Sequence, residues 1–357
     1  MLDVLIVLTL ILVVLTFLPL WHHPHWLVRG LDFPRFQIAI VAIASFIFQC
    51  FILDSQSIVS LILISLTGIC VIWQLWWVLP YTKLWPKEVK SAKAADKDKL
   101  LTILTANVLA HNKNSQALLD LVEKYSPDIL VTLESNHWWE EQLKQLESKM
   151  PYCIKCPLEN LYGMHVYSSL PLTDTSIAFL VEDDVPSMHA NLTLKSGDVV
   201  KVHFIHPAPP SPTENAESSE RDAELAVLAR SISETTLPVI VTGDLNDVAW
   251  SSTTRLFRKV SGLLDPRVGR GMFNTFHTDY PFLRWPLDHL FHSDHFTLKF
   301  VKRMPSIGSD HFPLLTQVLY SSNHQQDQSS LEKTKEDEAR AKTLSNEENV
   351  DKKDVPL

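Results

Sequence analysis

Three long apolar runs fill the first eighty residues, and no other feature of the chain constrains its fold as strongly. They cover about residues 4–20, 37–53 and 58–79, each near the length at which a helix crosses a hydrocarbon core of about 30 Å. The first run has no basic region before it and no small-x-small cleavage site after it. Two more runs follow, so it reads as a retained anchor rather than a signal peptide. Buried core helices are the competing reading, but the runs are consecutive and lack a polar face. Trp26 and the segment "WQLWWVLPYTKLW" suit the aromatic belts of a membrane interface. Arg29 and Arg35 lie between runs one and two, and "DSQS" between two and three carries no basic residue. Lys83, Lys87, Lys90, Lys93, Lys97 and Lys99 follow run three. With three crossings, the first loop and everything after run three share a side, and the basic bias makes that side cytoplasmic.

The hydrophobic share of 46% is slightly high for a soluble protein only because these runs are averaged with the rest. The expected organisation is an anchor over 1–80, a polar Lys/Ala-rich linker over 81–99, a catalytic domain over 100–320 and a disordered tail over 321–357. A formal net charge of −9 argues against a generic nucleic-acid binder, which usually carries a basic face. Of the four cysteines, Cys153 and Cys156 form a lone C-x-x-C. A structural zinc site needs four ligands and there is no second such pair, which leaves a redox pair, a disulfide or two ordinary thiols.

From Leu100 onward, short apolar strands alternate with amphipathic helical stretches: "LLTILTANVLA", then "SQALLDLVEKYS", then "DILVTLE". "GMHVYSS", "VVKVHFIHP", "LPVIVTGDLN", "PLDHLFHS" and "FTLKFVKRM" read as further strands. "RDAELAVLARSISE" reads as a helix and "PAPPSPTENAESSE" as a surface loop over the site. This alternation argues for an α/β domain with its sheets covered by helices. Several strands end on a residue that binds metal, phosphate or a proton: Asn107, Glu134, His206, Asp244 with Asn246, Asp288 with His289, and Asp310 with His311. One Asp-Asn turn is ordinary turn chemistry. Six such ends in one domain can converge on one pocket.

The residue types suit hydrolysis of a phosphate ester. That reaction needs a hard cation, a water placed for in-line attack and donors aimed at the developing charge. Glu134 and Asn107 are the natural ligands for Mg²⁺, Asp244 can orient or deprotonate the water, and Asn246 can donate to the phosphate. His311, with Asp288 behind it, is suited to act as base or charged donor. Asp247 is expected to face away and cap the helix around "SSTTRLF".

The ordered motifs "TANV", "PDILVTLES", "HFIHP", "GDLND", "PLDHLF" and "GSDHFP" cover roughly 101–320, and with them the chain resembles the endonuclease/exonuclease/phosphatase superfamily, the deoxyribonuclease I-like fold. The run through "GDLNDVAWSSTTRLF", "DPRVGRG" and "RWPLDHLF" looks like a bacterial subgroup with an N-terminal anchor. That likeness implies a multi-pass protein of the bacterial inner membrane. The resemblance implies an α/β (α+β) four-layered sandwich of two mixed β-sheets flanked by helices, here preceded by three transmembrane helices. It implies that Glu134, supported by Asn107, holds Mg²⁺ or Mn²⁺ and that Asp310 lies near it. It further implies that Asp244 positions the water, Asn246 contacts the phosphate, His206 and His311 stabilise the transition state or move protons, and Asp288 orients His311. Many relatives have Ser-Arg where this chain has Ser168-Ser169, so a basic phosphate contact is missing there. Arg221, Arg270 or Arg284 stand as replacements, and His165 and Tyr167 lie on the same strand within expected reach.

The resulting expectation is a membrane-anchored, metal-dependent phosphoesterase. Phospholipid head groups, nucleic acid and small phosphoesters compete as substrates, and a catalytically dead binding module is the alternative from another class. Tethering to a bilayer favours lipids by local concentration.

Overall fold

The structure is a computed structural model that describes residues 1–93, 96–321 and 328–356. The chain opens with α1 (Leu2–Phe17), the single turn α2 (Trp26–Arg29), α3 (Arg35–Ile52) and α4 (Ile58–Val78). With their short extensions, the helices at Leu2–Trp21, Arg35–Ile52 and Ile58–Tyr81 are long and apolar enough to cross a membrane. Polar side chains meet inside this bundle. Thr9 bonds Thr67 at 3.3 Å, Gln49 donates to Thr9 at 2.9 Å and Gln74 donates to Thr16 at 3.2 Å. Such interhelical pairs hold helices together where lipid removes the hydrophobic drive. Val7, Ile40, Ile62 and Ile72 face outward and are exposed.

The remaining elements run β1 (Leu100–Asn107), α5 (Ser115–Tyr125), β2 (Ile129–Leu133), α6 (His137–Leu143), β3 (Tyr152–Cys156), β4 (Met164–Ser168), β5 (Leu172–Ala178), β6 (Ser187–Thr193), β7 (Val199–Ile205), α7 (Ser219–Ile232), β8 (Val239–Asp244), α8 (Ser252–Ser261), β9 (Asp288–His292), β10 (Phe296–Arg303), β11 (Leu314–Tyr320) and α9 (Lys335–Glu347). They build two mixed sheets, ordered β10-β11-β1-β2-β4-β3 and β5-β6-β7-β8-β9. Each sheet holds one parallel pair, β1 with β2 and β7 with β8. The core between the sheets takes alternate residues from both, such as Leu101, Ile103, Val131, Val202 and Ile240. The opposite faces pack on helices, one on α5 and α6, the other on α7 and α8. This is the four-layered sandwich expected.

The parallel pairs place the site. Parallel strands end together, so Asn107 and Glu134 leave one sheet where His206 and Asp244 leave the other. The antiparallel neighbours begin at that same edge, with Asp244 opposite Asp288 in the register of β8 and β9. A hydrogen bond of 2.8 Å between Thr105 and Thr242 joins the sheets just below it.

Two expectations about domain limits need correction. Residues 81–93 of the expected linker run along the domain: Val89 lies in the core between the sheets, and Ala92 and Lys90 exchange backbone hydrogen bonds with Leu298. Residues 94 and 95 lie outside the described residues. The expected disordered tail contains α9, which starts in a capping box of Thr334 and Asp337 and buries Ala341 against the α7 layer. Residues 322–327 and 357 of that tail lie outside the described residues. Cys153 and Cys156 are free thiols and pack against the outer and inner faces of the same sheet, so they form neither a disulfide nor a redox pair.

Candidate active site

The strand alternation that fills the core carries Asp244 inward with Ile240 and Thr242, while Val241 and Leu245 face α7 and α8. Gly243 lets β8 come this close to β7, since a Cβ there would lie 1.8 Å from the Ile205 carbonyl oxygen. The strand ends at Asp244, so a strand period does not place Asn246. Asn246 turns into the left-handed region at φ 50°, and its backbone N–H donates to Asp244 Oδ1 at 2.9 Å. Its side-chain amide donates to the Pro207 carbonyl at 3.0 Å, which leaves the second N–H of that amide for a ligand. Glu134 also sits in the left-handed region, at φ 55°. Non-glycine residues rarely adopt this conformation, and two of them flank the same pocket.

His311 lies between two carboxylates. Its Nδ1 is 2.8 Å from Asp288 Oδ2 and its Nε2 3.4 Å from Asp244 Oδ2. Burial alone would lower its pKa, but the charges of Asp288 and Asp244 outweigh burial and push it up to about 10, so it is an imidazolium at neutral pH. Burial pushes Asp244 up, and the His311 charge offsets part of that. His206 is also buried, which brings it down to about 4 and keeps it neutral; its ring lies 5.4 Å from that of Tyr162.

Asp244, Asp288 and His311 bring three potential ligand atoms within 4.8 Å of one another. His311 commits its Nδ1 to Asp288, while its Nε2, 3.4 Å from Asp244 Oδ2, stays available to a ligand in the site. Glu134 fits a hard cation better. Asn107 donates to its Oε1 at 2.7 Å, and its buried Oε2 has no hydrogen-bond partner among the described residues. Burial pushes this carboxyl up to about 8, a cost that a bound cation would reverse. The oxygen-rich chemistry of Glu134 and Asp244 suits Mg²⁺ or Mn²⁺. Asp310 is half-buried beside them and raises both Glu134 and His311 through its charge.

Other expected residues are placed elsewhere. His165 and Tyr167 alternate with Met164 and Val166, which fill the core, so both point to the outer face of the sheet; His165 Nδ1 bonds Ser135 Oγ at 2.6 Å. Ser168 pairs with Ile129, at the end of the sheet opposite Glu134, so no phosphate contact is lost there. Arg221 is buried, bonds Asp222 Oδ1 at 2.9 Å and donates to the Asn246 carbonyl at 2.8 Å, supporting the turn from behind. Arg270 donates to the carbonyls of Pro266 and Val89. Arg284 donates to the carbonyls of His277 and Thr278 and shapes a loop beside the site. Asp247 accepts from Ser251 Oγ and Thr254 Oγ1, while Ser251 itself caps α8; Asp247 therefore steadies the cap, with no part in the pocket.

Two groups of neighbours escape a reading by motif. Arg267 and Asp265 form a buried pair, and Arg267 donates to the Asp288 carbonyl at 3.2 Å, fixing the start of β9. Phe276 places its ring 4.9 Å from that of His311 and walls it off. The first was present in "DPRVGRG", whereas a lone aromatic in an irregular stretch carries no signal.

The geometry agrees with comparison to known proteins. The model of the Endonuclease/Exonuclease/phosphatase family matches residues 104–311. The chain belongs to that family of phosphoester hydrolases. Solved structures share the fold. A D. rerio TDP2 humanized by 14 mutations matches with 16% identity and a TM-score of 0.50, over 62% of this chain and 99% of that one. The human Nocturnin catalytic domain with bound sulfate anion matches with 15% identity and a TM-score of 0.51, over 62% and 95%. D. rerio TDP2 complexed with single strand DNA product matches with 17% identity and a TM-score of 0.50, over 61% and 98%. Comparison with curated proteins gives no match.

Proposed function

We propose that this protein is a membrane-anchored hydrolase of phosphate esters that depends on Mg²⁺ or Mn²⁺. The observation that carries this reading is the Asp288–His311 pair set against Asp244, with Asn107 linking Asp244 to Glu134, whose buried Oε2 has no hydrogen-bond partner among the described residues. Glu134, supported by Asn107 and with Asp310 nearby, would hold the metal. When bound, the metal would neutralise charge on the phosphoryl oxygens. Asp244 orients the attacking water and accepts its proton. His311, kept as an imidazolium by Asp288, donates to the oxygen on which charge develops. Asn246 offers its free N–H to the phosphoryl group, and His206 lines the pocket as a neutral donor or acceptor.

The anchor reading draws support from the way the first loop docks on the domain. Arg29 pairs with buried Asp222 at 2.8 Å, and Trp250 Nε1 donates to the Asp32 carbonyl at 2.8 Å. Three crossings put that loop and the domain on one side, and the basic residues around them suit the cytoplasmic face of a bacterial inner membrane.

The test is hydrolysis of bis(4-nitrophenyl) phosphate and 4-nitrophenyl phosphate with Mg²⁺, Mn²⁺ or EDTA. Asp244→Ala and His311→Ala should each lower the rate by about 10²–10⁴-fold. Wild-type rates in both variants would remove the site assignment.

A further inference from the structure

Between Phe276 and Trp285 the chain leaves the site and returns, and the segment outside is unusually apolar. Tyr280, Phe282 and Leu283 are 57%, 87% and 49% exposed, and Pro281 sits between them. Scattered exposed apolar residues are normal, but three within four positions form a patch. The segment is not loose. Leu283 N–H donates to the Tyr280 carbonyl at 2.9 Å, and Phe276 and Trp285 pair as a bridge at its base.

Its place against α3 identifies what covers it. Gln37, in the first turn of that helix, donates to the Phe282 carbonyl at 2.9 Å. A groove of about 290 Å³ lies between Pro281 and Phe282 on one side and Phe36, Ile40 and Val41 on the other. Those three helix residues are 39%, 52% and 48% exposed and belong to a span apolar enough to cross a membrane. Val41 is six residues beyond Arg35, about 9 Å along the helix axis. The tip therefore lies beside the first turns of the apolar span and continues its lipid-facing surface.

The other side of the segment is the site. Thr278 donates from its N–H to the Asp310 carbonyl at 2.8 Å and from Oγ1 to the Ser309 carbonyl at 2.9 Å. Phe276 packs on His311 at its inner end, and Trp285 meets Phe33 of the first loop at 5.6 Å. Phe282 lies four positions beyond Thr278, at most about 14 Å of extended chain.

We propose that Tyr280, Phe282 and Leu283 insert into the bilayer beside α3, and that the site takes a phosphoester carried by a membrane lipid. The second half of this rests on the hydrolase reading above. Water adds its oxygen to phosphorus, the P–O bond to the leaving group breaks, and the leaving oxygen takes up a proton. Nucleic acid is disfavoured at this edge. The segment offers the exposed acid Asp279, and its single arginine, Arg284, spends two donors on backbone carbonyls while its guanidinium stacks on Phe312 at 5.0 Å.

The experiment uses the full chain in nanodiscs of phosphatidylethanolamine, phosphatidylglycerol and phosphatidic acid. Loss of each lipid is followed by mass spectrometry beside hydrolysis of soluble bis(4-nitrophenyl) phosphate. The triple variant Tyr280→Ser, Phe282→Ser, Leu283→Ser should lose at least tenfold on lipid and stay within twofold on the soluble ester. An unchanged ratio between the two overturns the inference and leaves the hydrolase reading intact. So does a wild-type chain that cleaves the soluble ester and DNA but no lipid. A chain inert on every ester removes the hydrolase reading instead. Insertion is then read alone, from a spin label at F282C in a chain whose native cysteines are serine. Oxygen access above that of an aqueous nickel complex supports insertion. The reverse order, or a contact with a second copy of the chain, ends it.

Discussion

Single residues here act through their position on a strand and through the charges that face them. His311 is charged because Asp288 and Asp244 both face it, and Asp288→Asn removes the nearer carboxylate. The histidine pKa then falls from about 10 towards its ordinary value. A reaction that needs the imidazolium should lose its alkaline limb at lower pH, while the rate at pH 6 falls less than the rate at pH 9. A pH–rate profile with a parallel loss at every pH would assign Asp288 to another role. The site residues at strand ends were legible because each sits in a short motif of fixed order. His165, Tyr167 and Arg221 were misplaced for a different reason. Which face of a strand looks at the site depends on the partner strand, and whether an arginine meets substrate or a buried acid such as Asp222 depends on packing. Neither is written in spacing alone.

At the level of elements, strong period-two or period-3.6 segments could be read directly, and weak ones could not. The edge strand β5, "LTDTSIA", is largely exposed and polar, so its alternation gives no apolar stripe to detect. The tail looked disordered because it is mostly charged. Yet its helix needs only a few apolar contacts, Ala341 with Leu344, followed by Val350 and Val355. The Thr334–Asp337 capping box was present in the sequence as a start signal. Lys259 also pairs with Asp337 at 2.9 Å, tying the helix start to α8. Ala341→Glu puts a carboxylate where the side chain is fully buried and should undock the helix at a cost of about 1–3 kcal/mol. Limited trypsin digestion would show it as faster cleavage after Lys335, Arg340 and Lys342, with catalytic activity retained. Cleavage as slow as in the parent chain would mean that α9 does not depend on this contact.

Taken whole, the molecule buries histidines on both sheets, and this sets how it responds to acid. Burial lowers His165 and His189 to about 3 and His206 and His292 to about 4, and it holds His203 and His289 well below their ordinary 6.5. Each is neutral in the fold and protonated in the unfolded chain below about pH 6.5. The unfolded state therefore binds more protons as pH falls from 6.5 towards 4, and stability drops by up to about 1.4 kcal/mol per pH unit for each such site. Burial also raises Glu134 and Glu224 to about 8. Those two carboxyls hold protons in the fold that the unfolded chain has released, which opposes the histidines over the same range. The six histidines outnumber the two carboxyls raised to about 8, which leaves a net loss in acid. On the alkaline side His311 contributes stability that is complete below about 6.5 and is lost as pH rises through about 10. The expected optimum lies near neutrality, with the melting temperature falling from pH 7 to pH 5. His292→Gln, which removes one of the buried titrating groups, should flatten that fall without moving the alkaline limb. A melting temperature that rises on acidification would mean that these rings are not buried neutral in the folded chain.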